Sequence, residues 1–113
     1  MNRRGDTTAL DQLETDKDGY LLHFADWNAA IAEAIAQREG IALTPAHWEV
    51  VTALRNFYTQ FEQSPAMRPL VKYIAQTLGA DKGNSIYLLQ LFPGSPAKMA
   101  SKIAGLPRPE HCL

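Results

Sequence analysis

The sequence holds a single cysteine in 113 residues. That excludes an internal disulfide, and a reducing compartment leaves the thiol free. No apolar run approaches the roughly 20 residues that span a bilayer, and residues 1–8 lack the apolar segment of a signal peptide, so a cytoplasmic protein without membrane contact is expected. A phosphate-cradling glycine loop, a paired-carboxylate pattern and a nucleophile elbow are all missing, and no cofactor is implied. Net charge is also scarce, at −1. It is unevenly spread: residues 1–63 carry five Lys/Arg against ten Asp/Glu, a balance of −5, while residues 64–113 carry six against two, a balance of +4.

What is present is 46% apolar sequence, enough for one domain with a modest core over residues 1–113. At the front, Asp18-Gly19 lies between two short apolar-rich runs, residues 8–14 and 20–24, which predicts a small β-hairpin. Asp26 is the expected cap of a first helix with Trp27, Ile31, Ala34 and Ile35 at helical spacing and Gly40 as its stop. Thr44-Pro45 opens a longer helix with Trp48, Val51, Leu54, Phe57, Tyr58 and Phe61 on one stripe, the expected central helix. Ser64-Pro65 repeats the signal before a third helix, in which Pro69 demands either a kink or a later start. Asn84 or Ser85 caps a fourth helix, and Ser95-Pro96 a fifth that Gly105 closes. The expected fold is mainly α, α+β by strict count: about five helices and one N-terminal hairpin.

Residues 105–113 form a tail that Pro107 and Pro109 stiffen into a semi-rigid, mobile C-terminal arm. It carries Cys112, a soft nucleophile that is only a few per cent ionised at neutral pH when unperturbed. The neighbouring Leu113 carboxylate opposes ionisation, whereas Lys98, Lys102, Arg108 and a protonated His111 favour it if the arm folds back. An incidental surface cysteine is the plain alternative. His111 and Cys112 are two of the four ligands a zinc site needs, and neither His23 nor His47 has ligand spacing to them, so no metal is expected. Arg68 and Lys72, near the start of the third helix, also allow a helix-turn-helix nucleic-acid-binding module, with a thin phosphate footprint.

A series of motifs then runs through the chain in order: Asp18-Gly19-Tyr20-Leu21, Leu43-Thr44-Pro45-Ala46-His47-Trp48, Ser64-Pro65-Ala66-Met67-Arg68, Lys82-Gly83-Asn84-Ser85-Ile86-Tyr87-Leu88, Leu91-Phe92-Pro93, Gly94-Ser95-Pro96-Ala97-Lys98 and Ala104-Gly105-Leu106-Pro107-Arg108-Pro109, ending in Cys112. The series resembles the DsrC/TusE sulfur-carrier family. The resemblance implies a helical array with a mobile arm and a persulfide carried on Cys112; charge and proximity in sequence put Arg108, Lys98, Lys102 and His111 in support. It also implies a TusBCD-like persulfide donor and an MnmA-like thiouridylase acceptor, with tRNA thiolation as the outcome; the charge of Arg68 and Lys72 makes them the expected partner-recognition residues. Members of the DsrC type have a second cysteine eleven residues before the penultimate one. Serine stands there, Ser101, which favours the TusE-like role over a DsrC-like one in sulfur oxidation or sulfite reduction. On this reading the chain is a sulfurtransferase carrier that works with partners rather than a stand-alone enzyme.

Overall fold

Five α-helices follow one another with short connections in the computed structural model, which describes residues 10–110: α1 (Ala29–Arg38), α2 (Pro45–Phe61), α3 (Met67–Leu78), α4 (Ser85–Leu91) and α5 (Pro96–Ile103). Three begin where the sequence predicts. Thr44 caps α2, with His47 answering: Thr44 N–H donates to His47 Nδ1 at 3.1 Å. The other ring nitrogen, Nε2, lies 2.7 Å from Leu91 O. Nδ1 is therefore the acceptor and Nε2 carries the proton, and this buried histidine ties the start of α2 to the end of α4. Asn84 and Ser95 cap α4 and α5. Such caps satisfy helix-end donors and contribute about 1 kcal/mol each.

The expected N-terminal hairpin is not formed, and no strand occurs among the described residues. A single antiparallel bridge joins Thr15 and Leu21. Asp16 Oδ1 accepts from the backbone N–H of Asp18 (2.9 Å) and Tyr20 (3.0 Å), so the Asp-Gly turn itself is real. The ladder ends because both arms are drawn elsewhere: Leu10 is buried in the core, and Phe24–Asp26 wind into a 3₁₀ turn.

Two predicted starts are also corrected. Asn28, not Asp26, caps α1, accepting from Ile31 N–H at 2.9 Å. Trp27 is held extended just before it, its indole committed to Ile103 O on α5. At α3 the N-cap is Ala66, without a side-chain bond. The helix starts late enough for Pro69 to fall in the first turn, where its missing N–H costs nothing.

The centre of the fold is α5 rather than the longer α2: α5 packs against each of the other four helices. Its inward positions are small, Ala97, Ala100 and Ser101, all fully buried, so neighbouring helices approach closely around it. Phe92, Leu54, Leu70, Ile74, Leu88 and Ile103 fill the space they leave. Gly83 serves the same economy of space, since a Cβ there would lie 2.2 Å from Ala75 N on α3.

Ser101 Oγ is buried and has no hydrogen-bond partner among the described residues. An unpaired buried hydroxyl costs about 1–3 kcal/mol, and its removal leaves a void smaller than a methyl group. Ser101→Ala is therefore expected to keep or raise stability, by up to about 1 kcal/mol in urea unfolding. A clear loss would mean that the hydroxyl has a partner in solution.

Candidate functional site

The site is built around the end of α5, because the chain runs from there to Cys112. Gly105, at φ +76, turns the chain out of the helix. Its N–H donates to Lys102 O (3.1 Å) and Leu106 N–H donates to Ser101 O (2.9 Å), the paired bonds of a Schellman ending. The remaining carbonyls at this end are met by side chains from distant sequence. Trp27 Nε1–H donates to Ile103 O at 2.8 Å, and Arg55 Nη1 donates to Ala104 O at 3.0 Å and Phe24 O at 3.3 Å. The Arg55 guanidinium stacks on the Phe24 ring (3.6 Å to the centroid) and the Trp27 ring (4.2 Å). Burial pushes its pKa below the usual guanidinium range. Aromatic faces and carbonyl dipoles compensate the charge here in place of a carboxylate.

Beyond Gly105 the arm is fastened to the body as far as it is described. Leu106 is fully buried in the core cluster and Pro109 is also buried. Ser64 Oγ donates to Pro107 O, which is the employment of the serine expected to cap α3. Arg108 Nη1 donates to Asp18 Oδ2 at 3.2 Å, so the N-terminal Asp-Gly turn holds the arm.

The structure brings some of the predicted site residues together and separates others. Lys98 and Arg108 line one open hollow of about 350 Å³ together with Pro109 and Glu110. Tyr20 OH donates to Lys98 O at 3.3 Å and so holds this part of α5 beneath the turn. Lys102 is employed elsewhere: its Nζ donates to Glu39 Oε2 at 2.7 Å, pinning the C-terminal end of α1. Arg68 and Lys72 sit one turn apart on the exposed side of α3 and line a different groove. Cys112 and His111 lie outside the described residues. Among the described residues no group of three or more His, Cys, Asp or Glu is placed to hold a metal ion. His23 pairs with Glu14 at 2.6 Å and His47 is the internal staple described above.

Sequence reasoning missed Trp27, Arg55, Ser64 and Asp18 as anchors of the arm. Trp27 and Arg55 lie 76 and 49 residues from the carbonyls they bind, and no local spacing reports pairings of that length.

A family model described as "DsrC like protein" matches residues 7–113. The chain is 61% identical over 102 residues to the sulfurtransferase TusE homolog of Haemophilus influenzae, with 90% of this chain and 94% of the relative covered. It is 53% identical over 102 residues to sulfurtransferase TusE of Escherichia coli, at the same coverage of 90% and 94%. Among solved structures, DsrC of Allochromatium vinosum superposes with a TM-score of 0.81 at 40% identity, covering 89% of this chain and 90% of that one. The oxidized gamma-subunit of dissimilatory sulfite reductase, DsrC, from Archaeoglobus fulgidus does so with a TM-score of 0.76 at 37% identity, covering 89% and 92%. With the family model spanning nearly the whole sequence, and relatives of this identity matched over most of their length, the chain belongs to the DsrC-like protein family.

Proposed function

We propose that this chain, a sulfur-relay carrier, receives sulfane sulfur on Cys112 as a persulfide and hands it to an acceptor enzyme that thiolates tRNA. The observation that carries the reading is the fastened arm root: α5, Trp27, Arg55, Ser64 and Asp18 fix the chain through Pro109, three residues before its only cysteine. A core cysteine needs no such mounting, and an incidental one gains nothing from it. From Pro109, three residues at ~3.3 Å each carry the backbone of Cys112 at most ~10 Å, enough for the thiol to enter a partner's cleft and short enough to make docking geometry matter.

In the transfer step the Cys112 thiolate attacks the terminal sulfur of a donor persulfide. The new Cys112 S–S bond forms as the donor's S–S bond breaks, and the donor departs as a thiolate, with no net oxidation or reduction. The product persulfide is anionic at neutral pH. Lys98 and Arg108, which face one hollow at the arm's end, are the residues suited to stabilise it. Lys102 supports the site indirectly through Glu39, and His111 is the remaining candidate for support.

By resemblance, the donor is a TusBCD-like complex and the acceptor an MnmA-like thiouridylase acting with tRNA in the cytoplasm. No helix among the described residues is long and apolar enough to cross a membrane. Ser101 supports relay to another protein over an internal disulfide, because it supplies no second sulfur. Intact-mass measurement after incubation with a persulfide donor tests the reading: a gain of ~32 Da, one sulfur, localised to Cys112 and lost on adding the acceptor is expected. No gain, or a gain elsewhere in the chain, overturns it.

A further inference from the structure

We infer that the groove between the start of α3 and α4 docks an acidic, apolar-bearing surface of a relay partner protein. The inference rests on the carrier reading for the partner's identity but on separate residues for its chemistry. The groove, about 750 Å³ and open to solvent, has Met67 and Val71 as its apolar lining and Arg68, Lys72 and Ser85 at its edges. Leu89 stands one turn beyond Ser85 on the same face of α4. It is 42% exposed, and its neighbour Ile86 is 73% exposed, which makes them two of the four exposed large apolar side chains among the described residues.

The electrostatics select the occupant. Helices α3 and α4 contain Arg68 and Lys72 and no carboxylate, in a chain whose net charge is −1. Neither cation joins an ion pair among the described residues, whereas Lys82, Lys102 and Arg108 each do. The first turn of α3 adds to the positive character of the groove: Ala66 provides no side-chain cap and the residues around it line the cavity, so the positive end of the helix opens into it. Two cations on an apolar-lined groove, with exposed Ile86 and Leu89 on the helix that contributes Ser85 to it, fit a protein surface of carboxylates and apolar side chains. A nucleic acid would want more cations along its phosphates and no aliphatic pair.

Binding of the purified TusBCD-like donor complex and of the MnmA-like acceptor would be measured for wild type, Arg68→Glu/Lys72→Glu and Ile86→Ser/Leu89→Ser. Loading of Cys112 by a small-molecule persulfide would be measured in parallel. Charge reversal should weaken binding of at least one partner about ten-fold or more and flatten its salt dependence, with small-molecule loading unchanged. The serine pair should weaken the same partner. All of these positions are surface-exposed, so circular dichroism should report an intact fold. Unchanged binding of both partners by either double variant overturns the groove while leaving the carrier reading standing. Failure of wild-type Cys112 to load from the small molecule overturns the carrier reading, and the binding arm still judges the groove. Transfer RNA binding that is lost on charge reversal while both proteins still bind would assign the groove to nucleic acid and overturn the inference.

Discussion

Cys112→Ala should abolish sulfur acceptance outright, with no residual rate, and leave the folded state unchanged. The completeness of the loss follows from chemistry. Sulfane sulfur is transferred by attack of a thiolate on a persulfide sulfur, and the chain has no second cysteine to take over. Serine and lysine side chains do not form persulfides under these conditions, so neighbouring residues cannot supply the slow background that survives in many catalytic variants. The folded state should be indifferent because the core cluster among the described residues, Leu10 to Leu106, is complete without the exchanged thiol. Far-ultraviolet circular dichroism and melting temperature should therefore match wild type within about 2 °C, a shift smaller than the 4–8 °C that 1 kcal/mol produces in a domain of about this size. Sulfur uptake that survives the substitution would end the carrier reading. Tight, salt-sensitive binding to duplex DNA that the substitution does not alter would favour the helix-turn-helix alternative instead.

The charge asymmetry of the sequence takes on a different meaning in three dimensions. The basic C-terminal half looks like a surface prepared for an anionic partner, but half of its six cations are used internally. Lys82 pairs with Glu49, Lys102 with Glu39 and Arg108 with Asp18, and all three carboxylates come from the acidic N-terminal half. The two halves are partly complementary to each other. Lys82 shows it most directly, its pKa raised by the hydrogen bond to Glu49. Lys98, at the arm, and Arg68 and Lys72, at the α3 groove, are left outside these pairs, and these are the places where an anionic group of sulfur or protein has something to meet.

Local chemistry was readable in the sequence wherever the answer was local. Thr44-Pro45, Asn84 and Ser95-Pro96 mark their helices correctly because a cap acts within three residues of itself. Gly40 and Gly105 mark the ends of α1 and α5 for the same reason, through the positive φ each adopts. Errors arose where a distant partner outbid the local signal. Trp27 reads as the first apolar position of a helix, yet its indole satisfies a carbonyl of α5 and the helix starts after it. Ser64 reads as a cap, yet its hydroxyl holds Pro107. The dominance of α5 was hidden because it is only eight residues long and its inward positions are small; closeness of packing, not hydrophobicity, makes that helix central. Of the site, Cys112 and the cations were visible as residue types. The anchoring of the arm was not, since it is assembled from long-range pairings.

Gly105→Ala tests that anchoring, and Gly40→Ala is its control. Both glycines sit at φ +76 after a helix, so an alanine at either meets the same left-handed backbone penalty, roughly 1–2 kcal/mol. Their surroundings differ. A Cβ at Gly40 meets nothing within 4 Å, whereas one at Gly105 would lie 2.5 Å from Trp27 Cδ1 and 2.9 Å from Trp27 Cβ. The indole cannot withdraw freely: it donates to Ile103 O and supports the Arg55 guanidinium. Relieving the overlap therefore strains or breaks the carbonyl bonds that end α5, adding about 1–3 kcal/mol of overpacking. Gly40→Ala is expected to lower the melting temperature by about 4–16 °C, and Gly105→Ala by roughly twice that, at about 4–8 °C per kcal/mol. The two should also part in function. Gly40→Ala, measured below its melting temperature, should load and transfer sulfur as wild type does. Gly105→Ala should still load Cys112 from a small persulfide, because the thiol is untouched, but transfer to the protein acceptor should fall at least ten-fold, because the arm leaves the body at the wrong angle for a reach of only ~10 Å. Equal transfer by the two variants would show that the mounting of the arm stabilises the fold and does not aim the sulfur.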